Sequence, residues 1–281
     1  MNGWKRRVSV SLALAIALAA CAPGTSGAPL SRSPSASTSS PSSAGQLGEL
    51  RARGTLIVAI RVEAPPPNRS AGDPAHVQKR AFESAVAAIV ATRVLGPNAK
   101  VELRSVGGDR LTALEQGADV VMTVDTAAAR GRTLLTVPYA AGAIVLASKS
   151  GGPVRQLEDV RGATVAVAMD ELGARDVAQA YLQERGITAT LDNYMGVSGA
   201  ASAVDAGRAT AMIGDKVGTS VVATERSLSI VAVIAQRPYV IAVRQMAPDL
   251  ASAISDALRA ALASGEIREA AVKAAFPYEA P

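Results

Sequence analysis

Residues 163–191 read ATVAVAMDELGARDVAQAYLQERGITATL, and the fold class follows from them. The first six are a short apolar run with β-branched Thr164, Val165 and Val167, the composition of a strand buried on both faces. Residues 172–185 follow as a helix that Gly186 ends, and 187–191 return to a strand-forming run. Strand, helix and strand in succession make a βαβ unit, which calls for a parallel sheet covered by helices.

The same alternation extends in both directions. On the N-terminal side, 55–60 is a strand closed by Pro65-Pro66-Pro67. Phe82, Val86, Ile89, Val90 and Val94 recur at helical spacing until Gly96-Pro97 stops them. Residues 101–106 form the next strand, Asp109 caps a short helix ending near Gly117, and 118–124 return to the sheet. Strands at 143–148 and 163–168 open a second series. On the C-terminal side a helix around 200–206 precedes a strand at 209–213. Strands at 228–234 and 239–243 are separated by Gln236-Arg237-Pro238. Helices at 248–263 and 266–275, with Gly265 between them, finish the chain. No internal repeat is evident.

The N-terminus is of another kind. Lys5, Arg6 and Arg7 precede an apolar stretch from Val8 to Ala20 and a small-residue cleavage site, the layout of an export signal. The stretch is shorter than the roughly 20 apolar residues that span a bilayer, which disfavours a permanent transmembrane helix. Leu18-Ala19-Ala20-Cys21 resembles the lipobox of bacterial lipoproteins, and Cys21 is the expected site of lipidation. It is the only cysteine, so no intramolecular disulfide can form. Residues 21–46, rich in Ser, Pro, Ala and Thr, then read as a flexible tether with a reach of roughly 25 to 30 Å.

Removing the signal takes Lys5, Arg6 and Arg7 with it, and the formal charge falls from +5 to +2. Aromatics are 3% of the chain and no basic cluster is interleaved with them, which argues against a nucleic-acid partner. His76 is the sole histidine and is read in a polar loop, too few ligands for a zinc site. No Gly-x-Ser-x-Gly, Gly-x-Gly-x-x-Gly or P-loop occurs, so no cofactor is expected.

Five stretches in order bring a known family into view: Leu50-Arg51-Ala52-Arg53-Gly54-Thr55-Leu56-Ile57-Val58-Ala59; Asp109-Arg110-Leu111 through Gly117 and Asp119; Arg130 with Thr136-Val137-Pro138-Tyr139; Leu157-Glu158-Asp159-Val160-Arg161-Gly162 through Val167; and Ala206-Gly207-Arg208 through Asp215. Together they resemble the family 3 bacterial solute-binding proteins, the polar amino-acid-binding type. The resemblance covers the body from about Leu50 to Phe276.

It implies an α/β, two-lobe, type II periplasmic-binding-protein-like fold, with parallel-dominated mixed sheets joined by a hinge of two crossovers, near Tyr139 to Gly142 and Gln236 to Val240. The expected division is a signal at 1–20, the tether at 21–46, lobe 1 at 47–141 and 238–281, and lobe 2 at 142–237. Closing of the cleft on a ligand is the implied motion. Arg130, at the end of a sheet strand, matches the arginine that grips a ligand carboxylate, and Arg132 is the other candidate for that place. Asp215 matches the carboxylate that receives an ammonium, or else caps the helix ahead of Lys216. Asp170-Glu171 stand where the family has a Gly-Thr or Gly-Ser pair, and two carboxylates there disfavour an anionic group. The sandwiching aromatics of the family are missing from 61–67.

The expected protein is a monomeric lipoprotein, anchored through Cys21 on the outer or periplasmic side of the cell membrane. It binds a small polar solute such as an amino acid and hands it to an ABC-type permease. Two alternatives stand beside it: a sensory or interaction lipoprotein with a degenerate cleft, and a cyclohexadienyl dehydratase-like enzyme in which Glu171 or Asp170 is the general acid.

Overall fold

The computed structural model describes residues 45–61, 74–106, 109–169 and 173–281. The export signal, Cys21, nearly all of the tether and the Asp170-Glu171 pair lie outside them.

Two five-stranded sheets organise the body. Helix α1 (Gln46–Arg53), strand β1 (Thr55–Arg61), helix α2 (Pro74–Leu95), strand β2 (Lys100–Val106), helix α3 (Thr112–Glu115), strand β3 (Val120–Val124), helix α4 (Ala127–Arg132) and strand β4 (Thr133–Leu135) come first. The chain then leaves for a second sheet: β5 (Ala143–Lys149), β6 (Thr164–Met169), α5 (Ala174–Glu184), β7 (Thr190–Met195), α6 (Gly196–Asp205), β8 (Ala211–Asp215), α7 (Lys216–Arg226) and β9 (Leu228–Gln236). It returns to the first sheet as β10 (Tyr239–Arg244) and ends in α8 (Pro248–Ser264) and α9 (Glu266–Lys273). The sheet orders are β2-β1-β3-β10-β4 and β7-β6-β8-β5-β9. In each, one antiparallel strand is inserted into an otherwise parallel set, β10 beside β3 and β5 beside β8.

Apolar periodicity places α2. Phe82, Val86 and Val90 are fully buried, facing β1 and the C-terminal helices. Each contributes about 1.5 to 3 kcal/mol of hydrophobic stabilisation. His76 falls within α2, which corrects its placement in a loop: the helix begins at Pro74, where proline's fixed φ suits a first turn. Asp109 accepts from the Leu111 amide at 3.0 Å, two residues on, so it forms a turn just ahead of α3 rather than capping it. Among the described residues no helix is long and apolar enough to cross a membrane.

Two strands of chain join the sheets. Tyr239 N donates to Ala140 O at 2.9 Å, and Arg237 N to Gly142 O at 2.7 Å. The crossovers therefore run side by side, hydrogen-bonded to each other. A side chain at Gly142 has no room, since a Cβ there would lie 2.1 Å from the Arg237 carbonyl oxygen.

Candidate functional site

Register fixes which ends of the strands face the space between the lobes. Tyr239, the first residue of β10, pairs with Val124, the last of β3. In the second sheet Ile144, near the start of β5, pairs with Asp215, the last of β8, and Ala143 pairs with Gln236 at the end of β9. Both crossovers thus attach at the carboxyl ends of the parallel strands. The loops that follow β3 and β8, and the helix N-termini they lead into, border the hinge from opposite lobes. Backbone N–H groups at such N-termini favour anionic groups.

On lobe 1, β3 runs into Asp125 and Thr126. The Asp125 amide donates to Pro238 O at 2.9 Å, which ties this corner to the returning crossover. Thr126 caps α4, accepting from the Ala129 amide at 3.1 Å. Arg130 therefore sits on a helix, not at the end of a strand as its sequence position suggested; the Thr126 cap makes the chain turn before it. Its guanidinium meets Asp125 in a two-pronged pair, Nε to Oδ1 at 2.6 Å and a terminal nitrogen to Oδ2 at 2.7 Å. The hydrogen bond and charge of Asp125 hold the Arg130 proton more tightly than usual. The Arg130 side chain is 69% exposed, so it is open to solvent and to a ligand. Arg132 turns elsewhere, pairing with Asp109 and, at 3.7 Å, with Glu115. That pairing holds the Asp109 carboxyl below the usual carboxylate range, with burial opposing.

On lobe 2, Asp215 ends β8 and caps α7, accepting from the Gly218 amide at 2.8 Å. It is half-buried beside the crossover. The structure brings Asp125-Arg130 and Asp215 to the hinge from opposite lobes and takes Arg132 away toward α3.

Sequence reasoning passed over a buried pair inside lobe 1. Arg110 and Glu83 are almost wholly enclosed, 3.7 Å apart, and Arg110 also donates to the Met122 carbonyl at 2.5 Å. The available signal was Glu83 itself, a carboxylate next to Phe82 and three residues before Val86 on the inward stripe of α2. The aromatics are the second surprise. Both phenylalanines and three of the five tyrosines gather behind the crossovers: Phe82 stacks on Phe276 at 4.3 Å, and Tyr139, Tyr239 and Tyr278 ring them at 5.9 to 6.1 Å. Among the described residues no cluster of three metal-ligating side chains occurs.

Comparison with solved structures agrees with this architecture. A mutant of ArgBP from T. maritima matches with a TM-score of 0.58 and 23% identity, over 81% of this chain and 97% of its own. An ancestral amino acid-binding protein, described as a precursor of cyclohexadienyl dehydratase, matches at 0.62 and 22%, over 82% and 99%. The chain has the periplasmic-binding-protein-like fold. The ligand-binding core of GluR0 from Nostoc punctiforme, in complex with L-glutamate, is a further example of the periplasmic-binding-protein-like fold, at 0.57 and 18%, over 78% and 98%. At these identities the likeness is one of fold. No protein-family model matches the sequence, and no curated protein does.

Proposed function

We propose that this protein captures a small polar solute, an amino acid or a related compound, in the space between its lobes, and that it does so as a lipoprotein anchored through Cys21 outside the cell membrane and serving an ABC-type permease. The observation that carries the reading is the register at the hinge. It turns the carboxyl ends of β3 and β8 toward one gap and sets Asp125-Arg130 and Asp215 on its two sides. Structural neighbours named for binding arginine and glutamate support it. In this reading the Arg130 fork passes from Asp125 to a ligand carboxylate, and Asp215 receives an ammonium.

Native mass spectrometry of the purified protein, followed by thermal unfolding against the amino acids, tests it. A ligand that binds only the folded state adds about 2.7 kcal/mol at a hundred times its Kd, a clear rise in Tm. Arg130→Ala should then weaken binding by roughly 30-fold or more. No retained molecule and no shift across the panel would leave the sensory alternative with a degenerate cleft. Turnover of prephenate or arogenate by the same preparation would instead favour an enzyme using Glu171 or Asp170.

A further inference from the structure

The chain does not stop where α9 stops. Ala275 takes the left-handed conformation, φ 52°, which a non-glycine residue adopts at a cost, and the Phe276 amide donates back to Ala271 O at 2.9 Å. The turn sends the last residues away from the helix and across the hinge. Phe276 is buried in the aromatic cluster, against Phe82 at 4.3 Å and Tyr239 at 5.9 Å. Beyond it, the Glu279 carbonyl accepts from the Ala141 amide at 3.0 Å, a bond to the outgoing crossover. The Glu279 carboxylate takes the Lys216 ammonium on both oxygens, at 2.5 and 2.6 Å. Lys216 is the first residue of α7, in lobe 2. A cavity of about 190 Å³ lies beneath, lined by Ala141, Lys216, Ser220, Tyr278 and Glu279 among others.

One short tail thus touches lobe 1, a crossover and lobe 2. We propose that it is a latch: Glu279 holds Lys216, and through it α7, against rotation of lobe 2 about the crossovers. The tail travels with lobe 1 and Lys216 with lobe 2, so hinge motion that carries the N-terminus of α7 away from the tail has to break this pair. The pair is partly exposed, with 30% and 56% of its two side chains open to water. Its effect is therefore modest and screened by salt.

Hydrogen–deuterium exchange on the whole, ligand-free protein at low salt reads the latch directly. The peptides to follow span 139–142 and 236–240. Glu279→Gln and Lys216→Met should each speed exchange there about two- to five-fold, and added salt should do the same to the wild type. The exchanged pair, Lys216→Glu with Glu279→Lys, should return the slow rate. Single variants that exchange like the wild type would overturn the latch, and so would an exchanged pair that stays as fast as the singles. The measurement needs no ligand, so its failure and that of the solute-binding reading are separate results.

Discussion

Asp119 accepts a hydrogen bond from the Ile57 amide at 2.7 Å and pairs with Arg53, while its own side chain is only 5% exposed. One carboxylate thereby ties the end of α1 and the start of β1 to the entry of β3. The motif stretch that runs from Asp109 through Gly117 to Asp119 is, at this residue, a structural device. Asp119→Ala should cost about 2 to 3 kcal/mol, because the Ile57 amide loses its partner inside the protein. Asp119→Asn keeps an acceptor and should cost about 1 kcal/mol. Urea denaturation with an unchanged m-value checks both; equal losses would mean that the charge, not the hydrogen bond, carries the effect. Arg130 shows the opposite limit of reading single residues. Its position near the crossover was legible from Thr136-Val137-Pro138-Tyr139, but its partner was not. The pair with Asp125 exists only because Thr126 starts a short helix between them.

Among the elements, legibility followed the strength of local pattern. The stripe of Phe82, Val86 and Val90 gave α2, and the runs at 55–60 and 239–243 gave β1 and β10 nearly to the residue. Helix α7 was foreseen only through the alternative reading of Asp215 as a cap, with no range of its own. Val217, Thr219, Val221, Val222 and Thr224 are β-branched, so intrinsic preference opposes a helix, and packing on β5 and β9 with the Asp215 cap overrides it. Strand β7 was expected at 187–191 and lies at Thr190–Met195. Ile187 looked like its first residue, yet its amide closes the end of α5 on Leu182 O at 2.9 Å and its side chain packs there. Helix α6 likewise begins four residues before the expected 200. Three element ends meet at Asp205, which closes α6 and binds Lys149 at the end of β5 and Arg226 at the end of α7. Lys149, then Arg226, hold its carboxyl below the usual range. A folded pKa below the unfolded one means that the stabilisation is complete above the unfolded value, about 3.9, and is lost as pH falls through the folded one. Asp205→Asn should cost about 0.5 to 1 kcal/mol near neutrality. Its Tm should converge with that of the wild type in acid, and a constant gap down the whole pH range would contradict this origin.

For the molecule as a whole, the two crossovers are the only covalent links between the sheets among the described residues, and at Gly142 they pack with no room for a side chain. A methyl group there would collide with the Arg237 backbone, which is itself bonded to Gly142. Gly142→Ala should cost about 1 to 3 kcal/mol and speed hydrogen exchange at Arg237; wild-type stability would mean the crossovers can part without penalty. The two-lobe plan was legible only through the family resemblance that the five motif stretches carry. The contacts that govern motion between the lobes were not, because they join residues far apart in the chain. The gathering of Phe82, Tyr139, Tyr239, Phe276 and Tyr278 at that junction has an optical consequence. Tyrosine rings held in fixed mutual orientation give near-ultraviolet circular dichroism, and Tyr139 and Tyr239 ride on the two crossovers themselves. The pivot is built from its own chromophores, so any turn of one lobe against the other re-aims them and registers as a spectral change without a label.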